Sequence, residues 1–381
     1  MARWKMERRN MQAPVQNKKK KKKKNRLLFW MLMILMFVAI ILISGTISYN
    51  YVIKHYLDTS ADKPVVISEN EGVEFVIDRG SSTGEIISNL VKQGLIKNET
   101  IFRLLSKVNG YDGTYKSGTH IVSKSLSYDD MMRVLSSPPA TRSVTIPEGK
   151  TFSQIVDILY GKKIIKDKEQ FIKTANTETF DYDFLKDIPQ RDNRLEGYLF
   201  PDTYEYDYNA SDREIITKML DNFNIKFKKD YRNKISSLPG GMTLDKVVTL
   251  ASIIEREAKS TDDRYLISGV LYNRLTSKDK TLRKLQVDAT IQYIMLKKTG
   301  AYKDRLLYGD LEIDDPYNTY LNEGLPPGPI CCPGEAAIKA ALNPLDTQYL
   351  YYVAKGDGSD SHAFARTFKE HQANIAKYGV R

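Results

Sequence analysis

The chain has 381 residues, 41% hydrophobic and 10% aromatic, enough for two or three folded domains and unlike a disordered or collagen-like composition. Its formal charge of +11 at first suggests nucleic acid, but twelve of the 58 Lys and Arg fall in residues 1–26 with one of the 47 acids, so the remaining 46 and 46 cancel. The basic character belongs to a tail, and a body without a positive patch of its own is not expected to bind nucleic acid.

That tail, residues 1–26, contains the unbroken run Lys18 to Lys24. Leu27 to Tyr49 follows without a single charge. As a helix this stretch is about 34 Å long, enough for a hydrocarbon core of about 30 Å. It exceeds the apolar region of about 7–15 residues in a signal peptide, and no clean cleavage site precedes Tyr49, so it reads as a retained anchor. The positive flank places the tail in the cytoplasm, against anionic lipid, and everything from about residue 50 outside the cell membrane. Residues 50–72 form a polar stalk.

An internal repeat comes next. Gly80-Ser-Ser-Thr-Gly-Glu-Ile86 aligns with Gly149-Lys-Thr-Phe-Ser-Gln-Ile155, and the same offset pairs Leu90 with Leu159, Ile96 with Ile165 and Phe102 with Phe171 without a gap. Each copy opens with a β-rich run (73–77, 143–146), turns at Gly and enters an amphipathic helix capped near Thr83 or Thr151. In the first copy a helix at Glu99 to Val108, a strand at 119–123 and a helix at 128–136 follow, ending at Pro138-Pro139. The β-α-α-β order over 73–139 resembles a LysM module, which implies N-acetylglucosamine chains as its ligand; a spacer or packing partner is the alternative.

Residues 140–381 alternate helical and strand patterns, with Tyr-rich stretches at 198–208 and 348–352 and the loop Gly324-Leu-Pro-Pro-Gly-Pro-Ile330. The fold class expected is α+β: one transmembrane helix, a small LysM-like module and a larger mixed catalytic domain. The stretch Leu250-Ala-Ser-Ile-Ile-Glu-Arg-Glu257 carries two acids. On a helix begun at Leu244 behind Thr243, Val247, Val248, Ala251 and Ile254 make one apolar stripe, and Glu255 falls inside it at about 20°. Glu257 falls near Lys246 on the opposite side, at about 220°, and is expected in solvent. A buried carboxyl keeps its proton toward neutral pH, as a general acid must, although a Glu held by an Arg or backbone partner sits the same way.

No GxSxG, Walker or HExxH motif occurs, His appears only at 55, 120, 362 and 371, and neither a metal nor an organic cofactor is implied. Cys331 and Cys332 are neighbours, too close for an unstrained disulfide, and are expected free.

Six segments in one order carry a wider resemblance: Leu195-Glu-Gly-Tyr-Leu-Phe-Pro-Asp-Thr-Tyr204, Leu250 to Glu257, Gln286-Val-Asp-Ala-Thr290, Tyr317-Asn-Thr-Tyr320, Gly324 to Ile330 and His362-Ala-Phe364. Together they resemble the MltG (YceG-like) family of endolytic murein transglycosylases over essentially all of 73–381. The resemblance implies cleavage of MurNAc-β-1,4-GlcNAc bonds to 1,6-anhydroMurNAc ends, with peptidoglycan strands, membrane lipid and cell wall synthesis proteins as partners. It assigns the catalytic role to the first acid of the pair, Glu255. Glu196, Gln286, Asp288, Asn318 and His362 are candidates for orienting the sugar, and Tyr198, Tyr317 and Tyr320 for stacking on it; each reads equally as loop scaffolding. Cys331-Cys332 departs from the small or amide residues expected before Pro333-Gly334. Two alternatives stay open: a non-catalytic wall-binding scaffold, and a muramidase that uses water with Asp288 or Glu196 as a second carboxylate.

Overall fold

The computed structural model describes residues 17–56, 67, 71–186, 188–258 and 260–378; the tail up to residue 16 and most of the stalk lie outside the described residues. Helix α1 runs Asn17–Tyr56. Its span Arg26–Tyr51 is long and apolar enough to cross a membrane, with mean hydropathy 2.9, and its side chains are exposed along that length. The chain divides into two compact units, Met1–Pro139 and Ala140–Arg381.

In the first unit β1 (Val73–Ile77), α2 (Thr83–Lys92), α3 (Glu99–Val108), β2 (Gly118–Val122) and α4 (Tyr128–Ser136) follow α1. β1 and β2 pair antiparallel, with Phe75 opposite His120. Alternation along β1 turns Phe75 and Ile77 inward, where they meet Ile87, Leu90, Phe102 and Met131 in one core. This is the strand–helix–helix–strand order expected from the sequence.

The second unit begins with the repeat's other copy: β3 (Thr141–Thr145), α5 (Phe152–Gly161), α6 (Lys168–Thr177), the short α7 (Asp183–Lys186) and β4 (Thr203–Asp207), with β3 and β4 antiparallel. The two copies agree in detail. Ser82 and Thr151 each close a capping box, with Glu85 and Gln154 respectively. Asn98 and Asp167 cap the second helices. Past the first helix the chain turns through a left-handed residue, Gly94 at φ 66° and Lys163 at φ 57°. There the amides of Gly94 and Lys163 return to Val91 and Tyr160, and those of Leu95 and Ile164 to Leu90 and Leu159, all at 2.9 Å.

Then come α8 (Asp212–Lys226), α9 (Lys229–Ile235), α10 (Leu244–Glu257), α11 (Thr261–Leu275), α12 (Asp288–Thr299), a 3₁₀ turn at Tyr308–Glu312, α13 (Glu335–Leu342), the antiparallel hairpin β5 (Tyr351–Ala354) and β6 (His362–Ala365), and α14 (Phe368–Tyr378). Helix α10, capped by Thr243, is the axis of this unit: α9, α11, α12 and α13 pack around it, and every residue from Val247 to Ile254 is buried.

The shared turn yields a paired prediction. A left-handed conformation costs a side chain about 1–2 kcal/mol, so Gly94→Ala should destabilise its unit by about 1 kcal/mol and Lys163→Gly should stabilise the other by a similar amount. Calorimetry of both variants checks the signs; a stabilising Gly94→Ala would refute the common role.

Candidate active site

Because α10 is covered on all sides, its polar residues bond inside the protein. Ser252 Oγ donates to the Thr249 carbonyl at 2.7 Å and accepts the Ile330 amide at 3.0 Å, while Cys331 Sγ donates to the Ser252 carbonyl at 3.3 Å. Glu255 continues the same stitching: its Oε2 accepts the Gly334 amide at 3.1 Å, and Arg264 stands 4.0 Å from Oε1. Its side chain is 8% exposed, as the apolar stripe predicts. Burial raises its pKa, the Gly334 amide opposes this, and the charge of Glu148 adds to it.

Glu257 departs from the expectation. It is the last residue of α10 and lies in the wall of a cleft of about 550 Å³, with Arg256, Arg274, Gln286, Asp288, Tyr320, Tyr352 and His362 among the lining. Tyr352 donates to its Oε2 at 3.0 Å. Burial, reinforced by the charge of Asp288, pushes its pKa up to about 7 against the lowering by Tyr352. A helical angle reports which way a side chain leaves the axis, not what covers that side; here β5, β6 and the start of α12, distant in sequence, supply the cover.

The cleft is built from several elements. Gln286 takes a left-handed φ of 52°, its amide donates to the Thr319 carbonyl at 3.1 Å, and the Val287 amide reaches Thr319 Oγ1 at 3.0 Å. This turn sets Asp288 as the first residue of α12, where it accepts a bond from the Tyr320 hydroxyl. Arg274, 6% exposed, ties the floor together through the carbonyls of Leu282 (3.0 Å), Lys284 (2.6 Å) and Leu350 (3.3 Å) and through Gln286 Oε1 (3.0 Å). His362 Nδ1 lies 2.8 Å from Asp263 Oδ2. Four predicted residues, Gln286, Asp288, Tyr320 and His362, are thus brought together, around Glu257. Asp263, Arg274 and Tyr352 were not foreseen; the only signals were an acid and an Arg in an otherwise helical stretch and the Tyr-rich run at 348–352.

The other predicted contacts lie outside the lining of this cleft. Tyr198 is fully buried and donates to Asp245 at 2.8 Å, so it cannot stack on a sugar. Asn318 is fully buried, its amide bonding the Leu311 and Ile313 carbonyls at 2.9 and 2.8 Å. Tyr317, 8% exposed, packs against Tyr293. Glu196, 1% exposed, accepts the Phe152 amide at 2.9 Å and the Tyr293 hydroxyl at 3.2 Å, outside the cleft. Cys331 and Cys332 are free, as expected, and buried. A second cavity, of about 570 Å³, lies by the start of α10, but its acids are already paired, Asp245 with Arg191 at 2.8 Å and Glu323 with Arg283 at 3.0 Å.

The site is therefore one buried acid at a helix end, in a cleft of tyrosine, amide, imidazole and carboxylate groups. Residues 75–377 match the model of the YceG-like family, and the chain belongs to that family. A protein of Bacillus subtilis named endolytic murein transglycosylase is 35% identical over 83% of this chain and 87% of its own length. A Streptococcus pneumoniae protein of the same name is 32% identical over 90% of this chain and 64% of its own length. The crystal structure of a yceG-like protein from Listeria monocytogenes superposes with a TM-score of 0.52 at 33% identity, covering 80% of this chain and 99% of that one.

Burial makes Glu196 a pH-dependent element of stability. Its folded pKa, about 7, stands above that of the unfolded chain, so its contribution is complete at low pH and is lost as pH rises toward and through 7. Glu196→Gln should therefore leave stability nearly unchanged at acid pH and raise it at pH 8, by an amount on the order of 3 kcal/mol. Thermal melts of the two proteins across that range test the sign.

Proposed function

We propose that this chain is a membrane-anchored endolytic murein transglycosylase in which Glu257 is the acid and base. The observation that carries the assignment is a carboxyl with a pKa near 7 in the wall of an open cleft, beside four of the residues that sequence motifs single out. Glu255, the acid that both the apolar stripe and the family resemblance select, lies outside that lining and holds the loop at Gly334. The relatives' names support the substrate class.

Protonated Glu257 gives its proton to the oxygen bridging MurNAc and GlcNAc as the C1–O bond breaks and an oxocarbenium-like centre forms. The resulting carboxylate takes the proton of the C6 hydroxyl of the same MurNAc while O6 bonds to C1. The acid is restored, a 1,6-anhydro end is left and no water is consumed. A hydrolase would need a second carboxylate to activate water. Asp288 is in the cleft, but it accepts the Tyr320 hydroxyl, and Glu196 is sealed in the core. In the same reading α1 anchors the protein with its N-terminus in the cytoplasm, the LysM-like module binds glycan, and synthesis enzymes work alongside.

Loss of a general acid costs about 10²–10⁴-fold in rate, so Glu257→Gln should lose at least that, whereas Glu255→Gln, which can still accept the Gly334 amide, should keep most activity. The opposite ranking would return the role to Glu255. Mass spectrometry of digested, uncrosslinked strands should find 1,6-anhydroMurNAc ends; reducing MurNAc ends would point to Asp288 and water.

Since the acid must carry its proton before the reaction, kcat/KM should fall as pH rises through about 7. A rate that climbs across that range would exclude Glu257 as proton donor.

A further inference from the structure

The cleft contains a second proton-accepting side chain that this reaction does not use. His362 opens β6, and its backbone N–H and its Nδ1 both meet Asp263 Oδ2, at 2.7 and 2.8 Å. Asp263 lies in the first turn of α11, 7% exposed, with its own amide on Ser260 Oγ at 3.2 Å. A carboxylate only accepts, so the bond to Nδ1 requires the ring proton there, and Nε2 of the neutral ring becomes a lone-pair acceptor. The imidazole is 8% exposed and lines the cleft. It meets Tyr352 edge-on, centroids 5.6 Å apart and planes at 82°, and the Tyr352 hydroxyl is the one bonded to Glu257. His362 and Glu257 therefore flank one tyrosine.

Several neighbouring polar groups are already engaged. Tyr352 donates to Glu257, Tyr320 donates to Asp288, and Arg274 donates to three carbonyls and to Gln286. Sugar hydroxyls bring donors that need acceptors, and an imidazole nitrogen facing the cleft supplies one.

We propose that the Asp263–His362 pair is a hydroxyl-binding subsite: Nε2 accepts a hydrogen bond from a hydroxyl of the saccharide bound beside Glu257 and fixes that ring relative to the acid. His362 is the substrate contact; Asp263 is a positioning residue that sets its tautomer. The proposal rests on the reading of the cleft as the glycan-cleaving site.

Two substitutions separate contact from scaffold, because Asn and Gln each replace one end of the imidazole. His362→Asn places an amide near Nδ1, keeps the tie to Asp263 and leaves nothing at Nε2. His362→Gln carries its amide to the Nε2 position. With melting temperatures showing both variants folded, His362→Asn should lose about 10-fold in kcat/KM, the size of one hydrogen bond, and His362→Gln should recover several-fold of that loss. The reverse order, with Asn near wild type and Gln worse, would mean that His362 only fastens β6 to α11 and would overturn the proposal. Nitrogen-15 NMR of the histidines offers a readout independent of turnover: His362 should carry its proton on Nδ1, and an Nε2–H tautomer in the wild-type protein would also overturn it. Glu257→Gln assayed in parallel keeps the two ideas apart. Activity surviving there removes the reading of the cleft, whereas an inactive Glu257→Gln beside a fully active His362→Asn removes the subsite alone.

Discussion

A helix buried along eight consecutive residues has to satisfy its polar side chains from within, and the larger unit is organised by how α10 does so. The strand-like run from Ile330 to Gly334 answers that demand, bonding Ser252 and Glu255 on the helix. The same run meets the turn of the second repeat copy, the Gly149 amide reaching the Cys332 carbonyl at 3.0 Å and the Cys332 amide the Lys150 carbonyl at 2.8 Å. Helix, loop and repeat are thus joined through one line of hydrogen bonds. At its C-terminal end α10 hands a side chain, Glu257, to the cleft.

The electrostatic cost of that placement falls on groups chosen to limit it. Tyr352 and the Ala289 amide favour the carboxylate form of Glu257, while Asp288 opposes it, and burial outweighs them all. The outcome is an acid poised near neutrality and not one locked in either state. Glu255, 8% exposed, is held by a backbone amide with an arginine nearby and lies outside the lining of that cleft. Two carboxyls two residues apart therefore differ in what they face.

Much of the fold was legible. The bounds of β1, α3 and α4 follow from alternation, caps and breakers, and the repeat shows in sequence before it shows in the matching turns at Gly94 and Lys163. The start of α10 at Thr243 was equally plain. Of the candidate site residues, Gln286, Asp288, Tyr320 and His362 line one cleft, but around the acid that helical angles assign to solvent. Periodicity describes one element by itself, whereas exposure depends on neighbours, and those of Glu257 come from α12, β5 and β6, elements well downstream. Motif segments were over-read for the same reason. Tyr198, Asn318 and Glu196 build the support behind the cleft, and a sequence pattern does not distinguish a residue that touches a ligand from one that holds the wall.

The duplicated β-α-α-β frame carries a liability for the nascent chain. Both copies close an antiparallel pair around similar helices, so β1 has a chemically plausible wrong partner in β4 and β3 one in β2, a hazard of tandem repeats. Divergence between the strands works against exchange. VEFVI turns Phe75 and Ile77 into its core, whereas TRSVT offers Val144 alone, opposite Tyr204. A swapped pairing would put a small side chain where a phenyl ring is needed, leaving a void in one copy and a clash in the other. The first copy, closed by a strand 40-odd residues on, also has the shorter loop to bring together and emerges first from the ribosome, so it can be complete before its competitor β4 exists.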